Sequence, residues 1–232
     1  MEEERIAIIG GTGPQGRGLA YRLARSGRRV VIGSRDVARA EQGARAVNER
    51  VSGTEPVTWA ENREAAAGSQ VVILAVPYRG HGDLVRSLAG SLAGKVIVSC
   101  CNPLGFDRRG PFGLDVPDGS AAEELQLLVP AARVVGAFHH LSAVTLWSAK
   151  EDLADEDVLM VGDDEHALGI AGELCAAVTG KPGVVAGPLR LARQLEPLTA
   201  TLISVNKRYR TQAGVRLVGV NLPEMDQDVD IA

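Results

Sequence analysis

Short apolar runs alternate with amphipathic stretches along the chain. Arg5–Ile9, Arg29–Gly33, Val71–Val76, Lys95–Ser99 and Arg133–Ala137 are such runs, with few polar positions. Runs of this kind, without polar alternation, predict strands covered on both faces. Between them, Gly16–Ser26 places Leu19, Ala20, Leu23 and Ala24 at helical spacing and stops at Gly27, a C-terminal cap. Val37–Arg50 is a second predicted helix, rich in Ala, Arg and Glu. Helices are also expected near Gly82–Leu88 and over Ser120–Leu128, the latter opening on the capping box Ser120-Ala-Ala-Glu123. Asn102–Gly119, rich in Gly, Pro and Asp, reads as a long loop. Beyond Trp147 the pattern predicts a strand over Asp157–Val161, a helix over Glu165–Val178 and a strand over Val184–Ala186. Leu189–Tyr209 follows as one long helix, broken or bent at Pro197. Strands alternating with helices predict an α/β fold with right-handed crossovers. The expectation is a Rossmann-type, doubly wound, mostly parallel sheet over residues 1–147. A smaller C-terminal α/β cap domain over 148–220 closes a cleft, and an acidic tail over 221–232 frays.

Composition narrows the class. Apolar residues make up 45% of the 232 residues, enough for an ordinary core, whereas aromatics are only 3%. Few aromatics and a net charge of −4 speak against a nucleic-acid binder. Cys100, Cys101 and Cys175 lack C-x-x-C spacing, so they read as small buried hydrophobes. No metal-ligand spacing is present. The acidic start, Met1-Glu-Glu-Glu-Arg5, is not a secretory signal, and no apolar run reaches membrane-spanning length. A cytoplasmic protein with no membrane partner is expected.

The first strand runs into Gly11-Thr12-Gly13-Pro14-Gln15-Gly16, a G-x-G-x-x-G motif that opens a helix. In such a loop Gly11 permits the tight turn, Gly13 lets the backbone approach a pyrophosphate, and Gly16 allows close helix–strand packing. The N–H groups at the helix start then face the phosphates. The second strand ends Ile32-Gly33-Ser34-Arg35, with Arg39 in the following helix. An NAD enzyme usually carries Asp or Glu there. Ser34, Arg35 and Arg39 instead suit the 2′-phosphate of NADP(H), and Asp36 is expected to cap the next helix.

Three later strand ends should converge over the nicotinamide: Ala75-Val76-Pro77-Tyr-Arg-Gly-His81, Cys100-Cys-Asn102-Pro103-Leu-Gly105 and Phe138-His139-His140-Leu141-Ser142-Ala143. A conventional catalytic set is missing, with no Tyr-x-x-x-Lys pair and no defensible Ser-His-Asp order. Hydride transfer between two cofactor rings needs no strong acid, because positioning supplies most of the rate.

These stretches resemble the NADPH-dependent reductases of coenzyme F420, also called F420H2:NADP oxidoreductases. The resemblance spans Ile6 to about Val220. It rests on Ile9-Gly-Gly-Thr12-Gly-Pro-Gln-Gly16 with Gly33-Ser-Arg35, on Val98-Ser-Cys-Cys-Asn102-Pro-Leu-Gly-Phe106, and on Ala137-Phe-His-His-Leu-Ser-Ala143. Gly162-Asp-Asp164 and Leu202-Ile-Ser-Val-Asn206-Lys-Arg complete it, and the long loop after Pro103 is most like the actinobacterial members. The resemblance implies reversible hydride transfer between NADP(H) and the deazaflavin F420 as co-substrate. It implies that Thr12, Gly13, Pro14, Gln15, Ser34, Arg35 and Arg39 hold NADP, and that Pro77 and Ala143 line the nicotinamide. His139 and Leu141 would then contact the deazaflavin as the catalytic pair, with Val76, Asn102 and Pro103 in the cofactor site. Archaeal members carry Thr at the place of His140 and Pro at that of Ser142, so no role is carried over to either. The resemblance also implies a homodimer, with the Leu189–Tyr209 helix as the expected interface. Lys207, Arg208, Arg210 and Arg216, with Arg108 and Arg109, could attract the anionic F420 tail. Related Rossmann proteins reduce imines, flavins or metal chelates, so a reductase with another acceptor and a non-catalytic NADPH sensor are the alternative readings.

Overall fold

The computed structural model describes residues 5–52, 55–149 and 153–220, so the acidic 221–232 tail lies outside the described residues. The elements run β1 (Ile6–Ile9), α1 (Pro14–Arg25), β2 (Val30–Ser34), α2 (Val37–Asn48), β3 (Thr58–Glu61) and α3 (Asn62–Ala67). They continue as β4 (Val71–Leu74), α4 (His81–Leu92), β5 (Val96–Ser99), β6 (Leu104–Asp107), β7 (Gly110–Gly113) and α5 (Ala121–Leu128). The last are β8 (Arg133–Gly136), α6 (Ala143–Trp147), β9 (Leu159–Gly162), α7 (Glu165–Thr179), β10 (Val184–Gly187) and α8 (Ala192–Tyr209).

Eight strands form one sheet in the order β10-β9-β8-β5-β4-β1-β2-β3. Every pairing is parallel except β8 with β9. This is the predicted Rossmann-type sheet. The C-terminal strands β9 and β10 extend its edge. The two faces carry separate cores, as the apolar runs require. Ile6 and Ile8 of β1 face Leu19, Leu23 and Ala44, whereas Ala7 and Ile9 face Val85, Leu88 and Leu125.

Local chemistry sets the helix ends. Ser120 caps α5 by accepting from the Glu123 N–H at 3.1 Å. Asp36 caps α2, accepting from Ala38 and Arg39 N–H groups, as expected. Gly27, at φ 86°, closes α1 with its N–H on the Ala24 carbonyl.

Three expectations need correction. The Asn102–Gly119 loop contains a hairpin, β6–β7, paired Leu104 with Gly113 to Asp107 with Gly110. α8 runs unbroken through Pro197, preceded by a single 3₁₀ turn at Leu189–Leu191. The edge unit β3–α3 and the short helix α6 have no counterpart in the predicted elements.

Candidate functional site

The site sits where the strand order reverses. β1 and β4 are neighbours, yet the chain leaves β1 toward β2 and leaves β4 toward β5. The loops after them diverge and open a crevice at the C-terminal strand ends. The glycine loop fills one side of it. Gly10, at φ 84°, makes the tight turn, and a Cβ there would lie 2.4 Å from the Ala75 carbonyl oxygen. Gly11 lies within the same turn, which the Gly13 N–H closes on the Gly10 carbonyl, but the positive φ falls on Gly10. Gly11 is instead packed on Ile32, 2.9 Å from where its Cβ would stand. Gly16 acts as expected, since a Cβ on it would come within 2.6 Å of the Gly10 carbonyl oxygen. α1 begins at Pro14, which sacrifices no useful donor, and its first turn holds no acid. With Gly13 as N-cap and no side chain capping the helix, its first N–H groups are left for an anion.

Two cavities flank this loop. The first, ≈ 670 Å³, takes Thr12 and Gly13 from the loop and Ser34, Arg35 and Arg39 from the end of β2 and α2. Arg35 and Arg39 are exposed and make no ion pair among the described residues, while the Asp36 carboxylate is turned onto its own helix. Ser34 Oγ accepts from the Asp36 N–H at 3.2 Å, which leaves its hydrogen to donate outward. The sequence reading did not place Asn62 or Arg79 in this wall, although both line it.

The second cavity, ≈ 450 Å³, is lined by Pro14, Gln15, Asn102, His139, Leu141 and Ala143, and by Thr199, Leu202, Ile203 and Asn206 of α8. Gly13, Ala75, Val76 and Pro77 line both cavities, so the two open on each other there. Leu202, Ile203 and Asn206 belong to a stretch that carries the resemblance, but no site role was expected of them, and Thr199 was not singled out from sequence. Their spacing of three, four and seven positions from Thr199 places them on one helix face. Of the residues expected around a cofactor, Gly11, Gly16 and Pro103 line neither cavity. Gly11 and Gly16 shape the loop, and Pro103 is buried at the hairpin base, its carbonyl accepting from Leu114 N–H.

The 138–143 segment is clamped from three sides. Gln15 donates to the Phe138 carbonyl at 3.1 Å, and Asn102 Nδ2 and Thr199 Oγ1 both donate to the His139 carbonyl, at 2.9 and 2.8 Å. Phe138 is fully buried at φ 62°, a conformation costly for an aromatic residue and held here by those bonds. The His139 ring packs beneath Gly136 and is buried, with neither nitrogen hydrogen-bonded among the described residues. Burial, with His140 adjacent, lowers its pKa to about 3. Burial thus favours the neutral imidazole, and the main chain of His139 is held beside the cavity by the bonds to its carbonyl. His140 is also buried, with a pKa lowered to about 4, and its Nε2 accepts from Leu159 N–H at 3.1 Å. Asn102 Oδ1 is buried without a partner among the described residues.

Lys207 and Arg208 stand in the last turn of α8, Arg210 is its C-cap and Arg216 lies beyond it. Arg216 pairs with Asp155 at 3.1 Å, while Lys207, Arg208 and Arg210 are exposed. All three cysteines are buried and free, as expected; burial raises the Cys100 thiol to about 12 and the other two upward.

Fold and site define a Rossmann protein with a dinucleotide cleft that opens onto a second ligand pocket. The family described as NADP oxidoreductase, coenzyme F420-dependent, matches residues 5–103. The chain is 37% identical over 229 residues to an F420-dependent NADP reductase of Methanothermobacter thermautotrophicus, covering 96% of this chain and 97% of that one. It is 35% identical to the protein of that name from Methanocaldococcus jannaschii, over 94% of this chain and 100% of that one. A crystal structure from Arthrobacter sp. FB24, provisionally described as an F420-dependent NADP reductase, superposes with a TM-score of 0.78 at 26% identity. It covers 92% of this chain and 99% of that one. The chain belongs to the F420-dependent NADP reductase family.

Proposed function

We propose that this protein transfers a hydride reversibly between NADP(H) and the deazaflavin coenzyme F420. The observation that carries the reading is the shared border of the two cavities at Gly13, Ala75, Val76 and Pro77. Ligands held on either side of that border meet face to face.

The residues fit both ligands. The uncapped N-terminus of α1 suits a pyrophosphate, and Ser34, Arg35 and Arg39 suit a 2′-phosphate. In the second cavity Asn102 Nδ2 is engaged, but its buried Oδ1 awaits an N–H donor, which the nicotinamide amide and the deazaflavin ring both carry. When bound, NADPH supplies the hydride. Leu141, Leu202 and Ile203 form an apolar wall that excludes water beside the reacting rings. Gln15, Asn102 and Thr199 fix the 138–139 backbone that shapes this wall. The roles of His139 and Leu141 are thus to position, and no side chain in the cavity has to move a proton.

The protein is further proposed to act as a homodimer in the cytoplasm; among the described residues no helix is long and apolar enough to cross a membrane. The test of the reaction mixes purified protein with NADPH and oxidised F420 and follows loss of the deazaflavin absorbance. NADH and flavin mononucleotide serve as controls. Fast loss with NADPH and F420 alone is expected. Tight NADPH binding with no reduction of F420 would overturn the proposal and direct the search to another acceptor.

A further inference from the structure

Arg79 lies on the β4–α4 loop, far in sequence from the two arginines that follow β2. Nonetheless it lines the same ≈ 670 Å³ cavity as Ser34, Arg35 and Arg39. It is exposed and has no hydrogen bond or ion pair among the described residues. The acids around this cavity do not neutralise it. Asp36 caps α2, and Asp83 pairs with Arg86 at 3.0 Å. Three guanidinium groups without an ion pair among the described residues therefore line one cavity, two from the β2–α2 unit and one from the β4–α4 loop, a charge arrangement that recruits a phosphate.

We infer that Arg79 is a third clamp on the adenosine 2′-phosphate of NADP, acting from the β4–α4 loop and not from the β2–α2 unit that carries Arg35 and Arg39, and so helps set preference for NADP over NAD. This rests on the proposed use of NADP. The pyrophosphate is the competing target, and position argues against it. That group belongs at the glycine loop, whose Gly13 stands on the border between the cavities together with Ala75, Val76 and Pro77. Arg79, like Arg35 and Arg39, lines the first cavity and not the second, which places it toward the adenosine end. Asn62 marks the same end. It is 3% exposed, its Oδ1 has no partner among the described residues, and an adenine amino group is a donor it could serve.

The experiment titrates adenosine 2′,5′-bisphosphate and 5′-AMP into the full chain by calorimetry at fixed salt, comparing wild type, Arg79→Ala and Arg35→Ala. Wild type is expected to prefer the bisphosphate. Arg79→Ala should weaken the bisphosphate by about tenfold, the scale of one charge-assisted contact, and leave 5′-AMP within about twofold. Melting temperatures check that the exposed substitution leaves the fold intact. If Arg35→Ala weakens the bisphosphate and Arg79→Ala does not, the inference about Arg79 is wrong while the use of NADP stands. Equal losses for both ligands would assign Arg79 to the 5′-phosphate side and also overturn it. A wild type without preference for the bisphosphate would overturn the NADP reading itself.

Discussion

Ser34 ends β2 at the position where an acid would hold the ribose of NAD. Replacing it with aspartate puts a carboxylate against the 2′-phosphate and offers NAD the acceptor it lacks. Ser34→Asp should lower the ratio of kcat/KM for NADPH to that for NADH by about 100-fold, roughly 2.7 kcal/mol, in steady-state assays. An unchanged ratio would remove Ser34 from the cofactor site. The buried histidines give a second prediction at this scale. With pKa values lowered to about 3 and about 4, His139 and His140 stay neutral above pH 5. The turnover rate with F420 should therefore show no step near pH 6.5, the ordinary histidine value. A step there that disappears in His139→Gln or His140→Gln would show that a histidine titrates during turnover. These residue-scale features differ in how far sequence reveals them. Ser34, Arg35 and the capping role of Asp36 are read from a few adjacent positions. Arg79 is brought into the cavity by the sheet order, which no local pattern encodes. The burial of the His139 ring depends on Phe138 at φ 62°, a backbone twist that an aromatic residue does not announce.

At the scale of elements, α6 decides whether the second cavity keeps its shape. Its first residue, Ala143, lines that cavity. Arg22 of α1, only 8% exposed, holds its other end by donating to the Thr145, Leu146 and Ser148 carbonyls at 2.7, 2.9 and 2.8 Å. Trp147 adds the stacked guanidinium groups of Arg17 and Arg50, each 4.5 Å from the ring. Arg22→Leu would leave those carbonyls unpaired, so a loss of about 3 kcal/mol is expected in urea unfolding, with a raised KM for F420. A loss below about 1 kcal/mol would show that α6 is held by packing alone. The elements legible in the sequence were those with a buried stripe or an apolar run. β3 was not, because Thr58–Glu61 is an edge strand with its first two residues exposed. The hairpin β6–β7 was not, because Phe106 and Phe112 are exposed and follow no core periodicity. Pro197 misled in the other direction. It removes one donor, but α8 continues and Gly113 of β7 packs closely on the proline ring.

For the whole molecule, buried titratable groups make stability respond to pH in two opposed ways. His139 and His140 have folded pKa values below their ordinary 6.5, so their contribution is full above that pH and is lost as pH falls toward 4. Glu196 behaves oppositely. Burial raises it to about 7, even though its carboxylate accepts from the Ala121 and Ala122 N–H groups at the start of α5. The folded state then favours its proton, and stability falls as pH rises from about 4.5 to about 7. Variants separate the two. His140→Gln keeps an acceptor for Leu159 N–H and should remove about 2 kcal/mol of the destabilisation seen between pH 7.5 and 5 in denaturant unfolding. Glu196→Gln should steepen that acid loss. The same slope in both variants would show that other groups govern it. The mostly parallel sheet at this scale followed from alternating strands and helices, whereas its strand order and the joining of β9 and β10 to it did not, since pattern alone does not say which neighbour a strand pairs with.

The central claim is direct hydride transfer across the border at Gly13, Val76 and Pro77. The measurement that tests it most directly is a single turnover with NADPH deuterated at C4, using each of the two stereoisomers in turn, with F420 in ordinary water. The account predicts that one stereoisomer delivers its deuterium to the reduced deazaflavin without exchange and that the other retains it. Deuterium lost to solvent, or no transfer from either stereoisomer, would contradict it.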